Sequence, residues 1–309
     1  MTPSIPFLPE GELLKTQENQ ELLLAPERWA QAAEEQTIAE GLALRCDANH
    51  DLLIDLGGGR VGRMVRGECA QGISTGQTKE IAILSRVGHP VCFCFVSPDG
   101  PEPLLSRRLA QQQALTWFLS SLTPGDILPA RVTHLESFGA FVDIGCGVIS
   151  LLGVETISVS RIRHPSARFH PGQRIRVVVT RVDPDQRRIF LSHRELLGTW
   201  EENATRFSPG ETVPGVVRSI EPYGVFIELT PNLSGLAEHH GTLRVGQTVT
   251  VYIKSIVPEK MKIKLLIIDP APPLTLPAAP LTYYVEQPHL ERWVYTPACC
   301  TVKHIETHF

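Results

Sequence analysis

The chain repeats itself, and that repeat limits its architecture more than any other feature. "TPGDILPARVTHLESFGAFVDIG" from Thr123 returns as "SPGETVPGVVRSIEPYGVFIEL" from Ser208, 85 residues later. "PGQRIRVVVTRVD" from Pro171 returns as "VGQTVTVYIKSIV" from Val245, at an offset of only 74. The trimmed residues fall in a connection, where a deletion leaves a core untouched. A unit that recurs in this way is one structural module used more than once.

Each copy holds five strand-like runs of alternating apolar and polar residues. In the middle copy they are Ile127–Leu135, Gly139–Ile144, Val148–Leu152, Arg174–Asp183 and Arg188–Ser192. In the last copy they are Thr212–Ile220, Gly224–Leu229, Leu233–Ala237, Thr248–Val257 and Lys262–Ile267. Five short strands with a longer connection after the third fit a closed barrel of the oligonucleotide-binding type. Closure also removes the exposed edges of an open sheet. The expected fold class is therefore mainly β, with tandem five-stranded OB-fold barrels joined by short helical connectors.

A weaker first copy precedes these, with "DLLIDLGGGR" from Asp51 in the place of "GAFVDIGCGV". The expected organisation is an acidic N-terminal arm at 1–35, a degenerate barrel at 36–104 and a helical connector at 105–123. A barrel at 124–194, a second connector at 195–208 and a barrel at 209–269 follow. The remainder, 270–309, is a proline-rich spacer and a C-terminal hairpin or tail. The arm is expected to be loose, with one short helix around Pro26–Glu35. Arg107–Leu122 carries a one-sided stripe of Leu115, Phe118, Leu119 and Leu122, as an amphipathic helix does. Glu195–Phe207 is expected to be its counterpart. Pro270–Pro280 reads as a stiff extended spacer, and "LTYYVEQPHLERWVYTP" as a small hairpin.

The overall charge of −4 conceals a strong asymmetry. Residues 1–40 carry two basic and eight acidic side chains, whereas residues 124–198 carry ten arginines against seven acids. Overall acidity thus does not exclude an anionic partner for the middle copy. No apolar run approaches the length of a membrane span, and no basic-then-apolar leader opens the sequence. The expected compartment is the cytoplasm, with no membrane partner. Seven scattered cysteines fit reduced thiols.

Both clear copies break the rule that aromatics seek the core. In "SFGAFVDIG", Ala140, Val142 and Ile144 share one face, and Phe141 shares the other with Asp143. In "PYGVFIEL", Phe226 lies with Glu228 in the same manner. An outward aromatic on a barrel gives a nucleic-acid base a surface to stack on, worth about 1–3 kcal/mol per base. Arg131, Arg174, Arg176 and Arg188 take outward positions and are expected to follow phosphates by charge.

These motifs, "PGDILPARVTHLESFGAFVDIG" with "RIRVVVTRVDPDQRRIFLSHRELLGTW" and the later "GVVRSIEPYGVFIELTPNLSGLAE", closely resemble the S1 RNA-binding domain. Bacterial ribosomal protein S1 and several ribonucleases carry that domain. The resemblance implies an RNA surface of two aromatics around the glycine, a histidine after the third strand, and an Asp/Arg pair near the last strands. The middle copy supplies Phe138, Phe141, Asp183 and Arg188. The last supplies Tyr223 and Phe226, with Lys262 in the arginine's place and Val257 in the aspartate's. Both lack the histidine, having Gly153 and Glu238 near its position. In the first copy His50 and Leu53 fall on the aromatic positions, so little RNA affinity is expected from it. A chain beginning near residue 106 is expected to bind about as well as the whole.

Other groupings are read structurally. Cys92 and Cys94 alternate in an apolar strand as small hydrophobes. Gly57-Gly58-Gly59 lacks a phosphate loop's lysine and reads as a hairpin turn. Cys299, Cys300, His304 and His308 lack the ligand spacing of a zinc site, and Arg161, Arg163 and Arg168 read as solvated charges in the long connection. No catalytic constellation and no cofactor motif is present. The expected function is non-catalytic binding of single-stranded RNA, with mRNA as the RNA and the small ribosomal subunit as a further partner. The alternatives are a protein-interaction scaffold and an accessory RNA-binding subunit of an RNA-degradation complex.

Overall fold

The computed structural model describes residues 5–239, 241–270 and 281–309. The expected proline-rich spacer lies, beyond Pro270, outside the described residues. The first barrel is closed from β1 (Ala39–Cys46), β2 (Leu52–Gly57), β3 (Arg60–Met64), β4 (Pro90–Ser97) and β5 (Leu104–Ser106), in the order β1-β2-β3-β5-β4. The middle copy is a five-stranded sheet of β6 (Ile127–Glu136), β7 (Gly139–Asp143), β8 (Ile149–Gly153), β9 (Arg174–Asp183) and β10 (Arg188–Ser192). Its order is β10-β9-β6-β7-β8. The two edges, β8 and β10, are joined by Ser150 Oγ donating to the Ile189 carbonyl at 2.5 Å rather than by a strand ladder. The last barrel is closed again, from β11 (Thr212–Glu221), β12 (Gly224–Thr230), β13 (Leu233–Ala237), β14 (Thr248–Val257) and β15 (Lys262–Asp269).

The ten strands of the two clear copies begin at or within one residue of their expected positions. Strict alternation bounded by glycine and proline leaves few competing registers. Inward residues such as Val142, Leu152, Val177 and Val179 are completely buried, as are Val217, Ile227 and Val251 in the last barrel. Each such side chain contributes about 1.5–3 kcal/mol by leaving water. Gly57, Gly58 and Gly59 make the β2–β3 turn with φ of 77°, 59° and 78°, a left-handed run open to glycine. Strand β5 crosses the boundary expected at 104, because Leu105 pairs with Phe95 of β4 as Leu191 pairs with Val179 of β9 in the middle copy.

The N-terminal segment is not a loose arm. Phe7 packs edge-on against Trp117 and Phe118 of a long connector helix, with ring centroids 6.0 Å away in each case. Glu10 is buried in a bidentate ion pair with Arg107 (2.6 and 2.8 Å). Two of the acids that look like a solvated run, Glu10 and Glu12, are counter-ions for arginines elsewhere in the chain. Helices α1 (Gln17–Leu24) and α2 (Trp29–Glu34) follow, α1 being capped by Thr16 Oγ1 accepting from the Asn19 N–H at 3.3 Å. Short helix α3 (Ile81–Leu84) lies between β3 and β4, and α4 (Arg107–Ser121) is the connector helix carrying the expected stripe. Cys92 and Cys94 of β4 face α4, Cys146 and the middle sheet, while Phe93 and Phe95 fill the first barrel. The first and middle copies therefore share a core, and cutting the chain near 106 would open it.

The second connector differs from expectation. After α5 (Val154–Ile157) and the remaining middle strands, the chain makes a 3-10 turn at Arg194–Leu197 and breaks at Gly198 (φ 82°). Only then does it form the short α6 (Trp200–Ala204), started by a Thr199/Glu202 capping box. The C-terminal segment also departs from a simple hairpin. It runs back along the middle copy, where the Ile127 N–H donates to Pro288 O and the Leu290 N–H to Gly125 O. Strand β16 (Arg292–Val294) then pairs with the distant β17 (Glu306–His308), while Trp293 and Tyr295 pack into the last barrel. His304 and His308 both contact Glu306, at 3.2 and 3.1 Å.

Candidate nucleic-acid interface

The β6–β7 turn lifts Phe138 into solvent, 53% exposed, and sets Phe141 half-buried one turn later on the outer face. Their centroids are 6.0 Å apart and their planes cross at 89°. In the last barrel Tyr223, 69% exposed, crosses Phe226 at 6.2 Å and the same 89°. The glycine between the rings has a structural cause. A Cβ on Gly139 would lie 2.5 Å from the Leu152 carbonyl oxygen, and one on Gly224 2.6 Å from that of Ala237. Close approach of the next strand requires glycine, and the aromatics are left on either side of it.

Strand register aligns the three copies side chain for side chain. Phe141 lies opposite His134, Phe226 opposite Ser219, and Leu53 opposite Arg45. Leu53 is only 5% exposed, and His50 is held by Glu80 at 3.0 Å, so the first barrel has no aromatic corner. Asp183 lies across from Arg188, and Val257 across from Lys262. Arg188 and Lys262 are exposed, while Asp183 accepts the Gln186 N–H at 3.0 Å.

The acids sharing the aromatic face are both buried. Asp143 Oδ2 accepts the Glu10 N–H at 2.7 Å, and its Oδ1 accepts the N–H groups of Gly145 and Gly147 at 2.8 and 3.0 Å. Burial first, and then the charge of Glu10, push its carboxyl up to about 7. Glu228, in the equivalent register position, is clasped by Arg218 at 2.7 Å and by Arg168 at 2.5 Å. Arg168 is thus a buried ion-pair member rather than a solvated charge; desolvation holds its pKa down. In the middle and last copies the outer face of the second strand is divided between an open aromatic end and an end covered by chain that precedes the copy.

Three arginines expected to track phosphate are engaged within the chain. Glu12 binds Arg131 at 3.0 Å and Arg174 at 2.6 Å. Arg176 donates to the carbonyls of Val285 and Gln287, lies 5.7 Å from the Tyr283 ring, and gives its backbone N–H to the Tyr283 hydroxyl. The acidic segment and the C-terminal strap supply these acceptors. Sequence reasoning missed other groups on this surface. His134 stacks on Phe141 (6.3 Å, 27°), and the Arg181 guanidinium lies 4.0 Å over the Phe190 ring, a cation–π contact. The signal for Phe190 was present, since it alternates outward with Arg188 between buried Ile189 and Leu191. His134 needed the strand register, because it lies on a different strand from the residue it contacts. Among the described residues, no helix is long and apolar enough to cross a membrane.

Residues 121–194 match the family model of the S1 RNA binding domain. Over 159 residues the chain is 35% identical to the small ribosomal subunit protein bS1 homolog of Bacillus subtilis, covering 48% of this chain and 41% of that one. Over 188 residues it is 32% identical to small ribosomal subunit protein bS1 of Staphylococcus aureus, covering 56% and 48%. The matches span less than half the length of these curated relatives. A solved multidomain protein with nucleic acid binding domains from Streptococcus pneumoniae aligns over 75% of this chain and 73% of its own, at 15% identity and a TM-score of 0.25.

Proposed function

We propose that this chain, which carries an S1 RNA-binding domain and resembles bacterial bS1, binds single-stranded RNA without catalysing its cleavage. The observation that carries the reading is the crossed aromatic corner, built twice with the same angle on outer barrel faces. Single strands expose base faces, and stacking on such rings tolerates any sequence. Phe138, Phe141, Asp183 and Arg188 form the principal contact, with Tyr223, Phe226 and Lys262 as the second. Because the relatives are named as small-subunit ribosomal proteins, the reading extends to mRNA at the small ribosomal subunit in the cytoplasm. Arg131, Arg174 and Arg176 are assigned to holding the molecule together.

Fluorescence anisotropy with a single-stranded RNA, and with the duplex of the same sequence, tests the proposal. The single strand should bind more tightly, and a folded Phe141→Ala/Phe226→Ala double variant should lose most of the affinity. Labelled RNA incubated with the protein and magnesium, manganese or zinc should stay intact. Unchanged binding by the folded double variant would leave the protein-scaffold alternative as the better account. Co-sedimentation with small ribosomal subunits checks the further partner.

A further inference from the structure

Between the first barrel and the middle sheet lies a cavity of ≈ 630 Å³. Ser85 and Arg86 line one wall, Thr133, His134 and Arg187 the other, and Arg107 lies among them. Its electrostatics are unbalanced. Glu10 is committed to Arg107 through both carboxylate oxygens and reaches Arg86 only at 3.6 Å. The Arg86 Nε–H is buried with no hydrogen-bond partner, while its Nη2 donates to Ser85 Oγ at 3.3 Å. An orphaned donor on a guanidinium costs free energy that an anionic acceptor would recover. Burial first, and then the neighbouring Arg107, hold the Arg86 pKa down, and an anion entering beside its guanidinium would act in the opposite direction. Two acids face these guanidiniums, Glu10 and the buried Asp143, whose oxygens are already taken by backbone N–H groups, while Glu136 beyond His134 is engaged by it at 2.8 Å.

The cavity adjoins the aromatic corner through His134, whose ring stacks on Phe141 and also lines the wall. Arg187 adopts φ 53° in the β9–β10 turn, and Met261 adopts φ 50° at the equivalent turn of the last barrel. The turn is therefore common to both copies, and the cationic side chain belongs to the middle one.

We infer that this inter-barrel cleft is a phosphodiester channel through which a single RNA strand, stacked on Phe141, passes between Arg86 and Arg187. The inference rests on the single-stranded RNA reading above. It also gives the first copy a part in binding despite its lack of an aromatic corner.

The test uses the full chain, a labelled RNA dodecanucleotide that would enter the cleft, and a tetranucleotide that covers the aromatic corner alone. Ser85→Glu adds a charge at an exposed wall position, Arg187→Ala removes one, and Arg86→Met removes the orphaned donor; thermal melting verifies folding. For the dodecanucleotide, Ser85→Glu and Arg187→Ala should each weaken binding roughly threefold or more, and each lost phosphate contact should flatten the log–log salt slope by about 0.7. The tetranucleotide should bind nearly as before. If all cleft variants bind the dodecanucleotide normally while Phe141→Ala weakens it, the channel is wrong and the aromatic reading stands. Equal weakening of both oligonucleotides would also overturn the channel, as general repulsion. If Phe141→Ala changes nothing either, the RNA reading itself fails. Should Arg86→Met unfold, Ser85→Glu and Arg187→Ala carry the decision.

Discussion

The middle and last barrels present aromatic corners of the same geometry and surround them differently. Phe141 has His134 across the strand, and its barrel carries the Arg181–Phe190 pair and Arg188. Phe226 has Ser219 across the strand, and Lys262 is its outward cation beside Val257. The buried acid beneath each corner is also neutralised differently, by backbone N–H groups at Asp143 and by two arginines at Glu228. A repeat can therefore keep the geometry of an aromatic corner while each copy builds its own seam with its neighbour.

The sharpest way to break this comparison is at the acids. Glu228→Ala leaves Arg168 and Arg218 without their shared carboxylate, and removing one member of a buried pair costs about 3–5 kcal/mol of stability. Asp143→Asn should cost less, about 1–3 kcal/mol. Its amide oxygen can still serve Gly145 and Gly147, and only the Glu10 N–H is orphaned. Urea unfolding of both variants measures the two; equal costs would mean that the seams are equivalent after all.

At the aromatic corners, Phe141→Ala should lose about 1–3 kcal/mol of single-stranded RNA affinity, with Phe226→Ala at the low end of that range. Binding titrations decide the order, and a larger loss at Phe226 would make the last barrel the principal site. Smaller still are the charges. Arg188→Ala and Lys262→Ala should each flatten the salt slope by about 0.7, whereas Arg131→Ala should hardly change it, because Glu12 already holds that charge.

The pH dependence has two contributions of opposite sign, one from His193 and one from Asp143. Burial holds His193 neutral, its pKa lowered to about 4 from 6.5, so the stability it lends above 6.5 is lost as pH falls toward 4. Asp143, raised from 3.8 to about 7, acts in reverse: its contribution is greatest in acid and is lost as pH rises through that window. Relative to the parent chain, His193→Gln should gain melting temperature on acidification from pH 6.5 to 4, and Asp143→Asn should lose it. Thermal melts across that range read both signs.

Strand positions were legible because alternation and turn residues are local and agree with the barrel. So was the aromatic corner, since Phe141 and Phe226 violate the same local pattern. The partners of charged groups were not legible. Glu12 meets Arg174 across 162 residues of chain, and Arg168 meets Glu228 across 60, separations at which sequence gives composition but no pairing. For the same reason an acidic segment read as a loose arm, and the intrachain partners of Arg131, Arg174 and Arg176 went unread. The C-terminal hairpin was misread because its partner, Glu306–His308, lies beyond the alternating run that suggested it.

The strap from Leu281 onward has a consequence for the order of assembly. His289 meets Asp126, and Tyr283 meets His193 and Arg176, so the middle sheet takes partners from chain made long after it. During vectorial synthesis its strands emerge and can collapse while these groups still face water. The last barrel must be made, and the chain must turn back, before the middle copy is complete. Such distant closures are slow compared with local ones. The nascent middle sheet would thus wait with His193 and Arg176 uncovered, and the final native contacts of the molecule would form at its centre rather than at its end.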